Sequence, residues 1–202
     1  MISIDTKRLH LRNVSKNDVH VMFDYRNNEI CTRYQRGQTK DFGEILNLIE
    51  HRKNDEISID SPCMIAVALK ETNEMIGEII VKPKENTISL GYTFSYKYHR
   101  QGYAFEALTV LHEHLHKMAP KWEFISFTEC ENIAGIELLK KLGYKDLGYV
   151  PCFRYYRKCS CFSFAYRIKY IGRNLFFIIW FHVYLYLYST VKKAVKKALM
   201  AV

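Results

Sequence analysis

The stretch "CMIAVALKETNEMIGEIIVKPKENTISLGYTFSY", Cys63 to Tyr96, constrains the fold more than any other part of the chain. Three apolar runs, 63–70, 75–82 and 87–96, carry the β-branched and aromatic residues that suit strands, parted only by Thr72-Asn73 and Lys84-Glu85-Asn86. Connections this short join strands as antiparallel hairpins, so a three-stranded meander is predicted. A polar loop with one glycine follows at once. A helix then puts Ala104, Ala107, Leu108, Leu111, Leu115 and Met118 on one face.

Elsewhere, "KRLHLRNV" alternates Leu9 and Leu11 with charged residues, as a half-buried strand does. Ser15 is a helix N-cap before Val19, Met22 and Phe23, and 39–53 forms a second helix on Phe42, Ile45, Leu46 and Ile49. "EFISFTE" reads as a strand, Asn132 as an N-cap, and "IAGIELLKKLG" as a helix ended by Gly143. A short strand at 146–150 and the alternating "SCFSFAYRIKYI" complete the order β-α-α-β-β-β-α-β-α-β-β. The predicted class is α/β (α+β), with a mixed sheet.

The 202 residues suit one domain with an appendage, and 49% hydrophobic residues supply a full core. Six irregularly spaced cysteines and no signal-like N-terminal run predict a cytoplasmic protein with reduced thiols. Cys159 and Cys161 lack a second pair and read as strand residues, so no metal site is expected there. The net charge of +9 suggests a nucleic-acid ligand until it is located: residues 151–202 hold 10 of the 30 basic residues and none of the 21 acids. The basic character therefore belongs to a tail, and no direct nucleic-acid binding is expected.

At Arg100 to Ala104 a strand ends and a helix starts, leaving N–H groups without intrahelical partners at the positive end of a helix dipole. Phosphate oxygens favour such an end, Gly102 admits close approach, and Arg100 adds a cation. One glycine alone fits an ordinary strand-to-helix connection better than it does a phosphate site.

The order of segments adds to this. "YHRQGYAFEAL" after "ISLGYTFS", with "ENIAGIELLKKLGY" further on and "TKRLHLRNVSKNDVHVMFDYRNNEICTRYQ" before, resembles the GCN5-related N-acetyltransferase (GNAT) superfamily and its RimJ/RimL-like branch over residues 5–170. The resemblance implies a GNAT fold: a mixed, mostly antiparallel sheet flanked by helices, with two splayed central strands that admit the pantetheine arm of acetyl-CoA. It implies a pyrophosphate loop formed by Arg100, Gln101, Gly102, Tyr103 and Ala104. His99 stands where Gln or Arg is usual. Phe94 and Ser95 would pair with pantetheine amides, and Asn132 would reach the cofactor.

The implied reaction is direct attack of a neutral primary amine on the thioester in a ternary complex, with a strand N–H holding the oxyanion and no metal or cysteine nucleophile. The acceptor is a protein N-terminal α-amine or a small amine. Leu139, Gly135 and Ser89 occupy positions where relatives carry Tyr, Ser and Glu. Glu78 is the candidate base, against the plainer reading of an exposed strand residue. Tyr144 is the candidate acid, against that of a core aromatic. A non-catalytic CoA-binding module of the same fold stays open. So does a zinc peptidase, because "HEHLH", His112 to His116, satisfies H-E-x-x-H.

The domain reading is 1–172 for the acetyltransferase and 173–202 for an apolar and basic tail. Residues 174–191 carry no formal charge, and "VKKAVKKALMAV" suits a basic amphipathic helix, so peripheral contact with the inner membrane surface is expected. A buried terminal helix, a homodimer segment and a translation artefact stay open.

Overall fold

A computed structural model of the protein describes residues 1–35, 37–152 and 157–164. The described elements are β1 (Ser3–Asp5), β2 (Leu9–Arg12), α1 (Val19–Asn27), α2 (Glu29–Thr32), α3 (Phe42–Arg52), β3 (Cys63–Leu69), β4 (Met75–Lys84), β5 (Thr87–Phe94), α4 (Tyr103–Met118), β6 (Glu123–Glu129), α5 (Ile133–Lys141), β7 (Lys145–Cys152) and β8 (Arg157–Phe164). The strands form one sheet in the order β1-β2-β3-β4-β5-β6-β8-β7. Every neighbouring pair is antiparallel except β5 and β6.

The meander forms as its turns dictate. Asn73 takes φ 57° between β3 and β4, and Glu85 and Asn86 take 46° and 64° between β4 and β5. Two successive left-handed residues match the right-handed twist of a hairpin. Gly143 at φ 90° ends α5: its N–H reaches the Lys140 carbonyl and the Tyr144 N–H reaches that of Leu139. This is the paired C-terminal bonding that a left-handed glycine permits, and it turns the chain so that Tyr144 enters the core.

Two cores result. On one sheet face Leu108, Leu111 and Leu115 of α4 and Leu139 of α5 pack on Ile65, Val67, Ile79 and Leu90. On the other, Met22 and Tyr25 of α1 and Ile45 and Ile49 of α3 cover Met64, Ala66 and Met75.

Several boundaries differ from the sequence expectation. Ser15 starts a single 3-10 turn, Lys16–Asp18, and α1 follows it. The helix expected from 39 begins at Phe42, because Asp41 caps it by accepting the Glu44 N–H at 3.0 Å. The strand expected to reach 96 ends at Phe94, where Tyr96–Tyr98 turn into a 3-10 helix. β1 and α2 were too short to leave a periodic pattern. The last strand starts at Arg157 and is described to Phe164, so Tyr166, Ile168 and Tyr170 and the tail from 173 lie outside the described residues. Among the described residues, no helix is long and apolar enough to cross a membrane.

Candidate active site

β5 and β6 pair only at their starts, Thr87 with Glu123, Ile88 with Phe124 and Ser89 with Ile125. Beyond Ser89 the strands part, and β5 continues on β4 alone as far as Phe94. The Ser95 N–H donates to the Ile76 carbonyl at 2.8 Å, so alternation along an antiparallel pair turns the backbone groups of Phe94 and Tyr92 away from β4 and into the gap. Both carbonyls are taken there. Gln35 Nε2 donates to Tyr92 at 2.8 Å, while His99 Nε2 and the Cys31 thiol donate to Phe94 at 2.9 and 3.3 Å. The N–H groups of Tyr92 and Phe94 have no partner among the described residues.

The gap opens into a cavity of about 1220 Å³. One wall is 29–35, a second is Tyr92, Thr93 and Phe94, a third runs from Tyr98 through Arg100 and Gly102 to Phe105, and a fourth includes Asn132, Gly135 and Lys141. The Tyr34 hydroxyl crosses from the first wall to the Glu131 carbonyl at 2.9 Å.

The loop at the head of α4 turns its backbone N–H groups outward through two left-handed residues. Arg100 takes φ 63° and Gly102 φ 81°, the left-handed region that costs glycine least. The N–H groups from Gln101 to Phe105 have no partner among the described residues. Arg8, which the sequence reading passed over, braces this loop. Its Nη1 donates to the Gln101 carbonyl at 3.0 Å, and its guanidinium lies 4.3 Å from the centre of the Tyr103 ring. Its Nε and backbone N–H donate to Glu106 at 2.7 and 2.9 Å, and Thr6 Oγ1 adds a bond of 2.6 Å. Partial burial would raise the Glu106 carboxyl, but the bonds from Thr6 and Arg8 outweigh it and hold the pKa below its ordinary value.

Asn132 works locally as the cap of α5, with Oδ1 accepting from the Gly135 N–H and Nδ2 donating to Thr128 Oγ1, both at 3.0 Å. A Cβ on residue 135 would lie 2.6 Å from Asn132 Nδ2, so glycine is what lets this cap fold over the helix start. Phe94, Arg100, Gly102, Tyr103, Ala104 and Asn132 all line the cavity. Gln101 turns its carbonyl to Arg8, and Ser95 is buried with its N–H on Ile76 and its carbonyl on the Tyr98 N–H.

Glu78 and Tyr144 sit behind the cavity. Glu78 is 1% exposed on β4, facing α1. Arg26 Nη2 donates to both of its oxygens at 2.8 Å, the Tyr25 hydroxyl to one at 2.8 Å and Gln38 Nε2 to one at 3.0 Å. Gln38 also reaches Thr93 Oγ1 at 2.9 Å, which ties this buried carboxylate to the cavity wall. Tyr144 pairs at 2.6 Å with His112 Nε2, and His112 Nδ1 lies 2.6 Å from the Leu108 carbonyl. The carbonyl requires the ring proton on Nδ1, which makes Nε2 the acceptor of the Tyr144 hydroxyl. Both nitrogens of His112 are thus engaged, and burial pushes its pKa down to about 4. "HEHLH" supplies a core histidine at its first position and an exposed Glu113 at its second. Among the described residues, no group of three metal-ligating side chains is gathered. Cys31 is no ready nucleophile either, since burial raises its thiol pKa.

Comparison with known proteins agrees with this fold. The chain is 24% identical over 158 residues to "Uncharacterized N-acetyltransferase YnaD" of Bacillus subtilis (strain 168), covering 77% of this chain and 86% of that one. A GNAT-family acetyltransferase from Bacillus anthracis superposes with a TM-score of 0.71 at 19% identity, over 81% of this chain and 98% of the other. RimL, a ribosomal L7/L12 alpha-N-protein acetyltransferase in complex with coenzyme A, superposes at 0.67 and 15% identity over 82% and 98%. The acetyltransferase (GNAT) domain family matches residues 8–145, which span Arg8, the splayed strands, the loop at Gly102 and the Asn132 cap. The chain belongs to the GNAT acetyltransferase family and is an acyltransferase.

Proposed function

We propose that the protein transfers the acetyl group of acetyl-CoA to a primary amine, and that the amine is a protein N-terminal α-amine. The observation that carries this reading is the pair of unpartnered N–H sets on one cavity, Tyr92 and Phe94 in the gap and Gln101 to Phe105 at the head of α4. The second set, with Arg100, would hold the pyrophosphate, and Lys141 lies within reach of the same wall. Acetyl-CoA, when bound, would supply a thioester carbonyl to the acceptor nitrogen: the C–N bond forms, the C–S bond breaks, and CoA leaves as the thiol.

The N–H groups of Tyr92 and Phe94 serve the pantetheine amide and the carbonyl oxygen that gains negative charge, and their fixed direction costs no reorganisation as the charge develops. The 29–35 wall positions the amine opposite them. The ammonium loses its proton to water in the groove. In this proposal Glu78 and Tyr144 act from behind, Glu78 by fixing Gln38 and Thr93, Tyr144 by fixing α4 to the end of α5. The acceptor class is drawn from the ribosomal protein that RimL modifies by its name, with polyamines and antibiotics as the alternative.

We also place the catalytic domain at 1–172 in the cytoplasm, with 173–202 as a tail touching the inner membrane surface. Flotation with anionic liposomes tests the tail: full chain and a chain ending at Gly172 should differ, and equal behaviour would exclude the contact. CoA release measured over a panel of N-terminal peptides and small amines tests the reaction. Fastest release with a peptide is expected. Acetyl-CoA binding with no turnover on any acceptor would make the protein a CoA-binding module.

A further inference from the structure

Apart from Met1, the most exposed large apolar side chains among the described residues are Ile30 at 65%, Ile133 at 64% and Phe127 at 58%. They come from three separate segments, and the fold gathers those segments about one oxygen. The Glu131 carbonyl accepts from the Tyr34 hydroxyl at 2.9 Å and from the Ile133 N–H at 3.0 Å. Ile30 lies on α2, four residues before Tyr34, and both line the cavity. Phe127 lies on β6, four residues before Glu131 and past the last pairing with β5 at Ile125. Alternation fixes its face. The Phe124 ring lies 4.7 Å from that of His112 on the α4 side, so Phe127, three positions on, faces the side that carries α1 and Cys31 of α2.

A single exposed apolar side chain needs no explanation, but three of them about one cavity mouth mark a surface that another molecule covers. Charge indicates which molecule. Two carboxylates line the cavity: Glu137 pairs with Lys140 at 3.4 Å, while that of Glu29, next to Ile30, has no ion-pair or hydrogen-bond partner among the described residues. A polyamine needs several anions along its length, and the lining leaves one. A peptide N-terminus needs one anion for its ammonium and apolar surface for the side chains that follow. We propose that this face receives the first residues of a polypeptide acceptor whose second and third side chains are apolar, an inference that rests on the acetyl-CoA reading above. Glu29 draws the α-ammonium to the cavity mouth. Ile30, Ile133 and Phe127 cover the side chains that alternate to either side of the extended acceptor, and take that apolar area out of water.

The test follows CoA release by the full chain on peptides identical but for leucine or serine at both the second and third positions, with a linear polyamine alongside. The leucine peptide should exceed the serine peptide in kcat/KM by roughly 100-fold, about 10-fold for each leucine side chain covered. Ile30→Ser and Phe127→Ser should each cut this preference about 10-fold through the acceptor KM and not through kcat. Neither should lower the melting temperature, because both side chains are mostly in solvent. Glu29→Gln should raise KM for both peptides alike. Equal kcat/KM for the two peptides, a preference that survives both serine substitutions, an unchanged KM in E29Q, or faster turnover of the polyamine would overturn the inference and leave the acetyltransferase intact. So would an unsubstituted chain that sediments as a dimer with F127S as a monomer, which would make this face a contact between two copies. If the unsubstituted protein binds no CoA, or binds it and turns over no acceptor, the acetyl-transfer reading and this inference fall together.

Discussion

Arg8 Nε donates to Glu106 Oε2 at 2.7 Å, joining the turn between β1 and β2 to the first turn of α4. The same guanidinium holds the Gln101 carbonyl, so this contact fixes the direction in which the N–H groups of Gln101 to Phe105 point. A loop that presents backbone amides to an anion works only if its conformation is set before the anion arrives. Arg8 does this without a bond to any of those amides.

Arg8→Ala should therefore weaken CoA binding about 10-fold, the equivalent of about 1.4 kcal/mol. Its melting temperature should change little, because Arg8 is exposed and its ion pair is a surface one. Calorimetric titration with CoA checks the first, and thermal unfolding the second.

A Cβ on Gly77 would lie 2.7 Å from both Phe94 Cδ1 and the Thr93 carbonyl oxygen. Gly77→Ala must push Phe94 toward the gap, at a cost of about 1–3 kcal/mol for overpacking. Both stability and CoA affinity should fall, in contrast to Arg8→Ala, where affinity falls alone.

Glu78→Gln removes the charge that answers Arg26, which is itself 2% exposed. Breaking one partner of a buried ion pair costs about 3–5 kcal/mol, so urea unfolding should shift strongly. Turnover per folded molecule at saturating acceptor should change little, with the larger effect on the acceptor KM through Gln38 and Thr93. A loss of kcat with unchanged stability would return Glu78 to the role of base.

His112 fixes a pH dependence. Its folded pKa is depressed to about 4 while the unfolded chain titrates near 6.5, so the unfolded state binds the extra proton first. The stability it contributes is complete above pH ~6.5 and is lost as pH falls toward ~4, by up to ~3 kcal/mol. Melting temperature recorded across that window should fall more steeply than in His112→Asn, which cannot titrate there.

Features set by one residue's own chemistry were legible in the sequence. Gly102 and Gly143 both take left-handed conformations where the pattern placed a loop and a helix end, and Asn132 caps α5 as its type and position suggest. The meander was legible because its turns leave no room for another connection. Long-range pairings were not. Glu78 finds Arg26 from 52 residues away and Arg8 finds Glu106 from 98, and neither spacing leaves a period to read. Glu78 looked like an exposed strand residue because alternation on a strand with both faces covered does not separate inside from outside. His112 read as a solvated flank of α4 that also satisfies a metal motif, because the partner that takes its Nε2, Tyr144, arrives only through the turn at Gly143.

In the proposed complex the gap between β5 and β6 and the head of α4 together receive one CoA molecule. Residue-resolved amide hydrogen exchange of the full chain, with and without CoA, tests it most directly. Slowed exchange at Tyr92 and Phe94 together with Gln101 to Phe105 is predicted. Unchanged exchange at those amides in the presence of bound CoA would contradict the account.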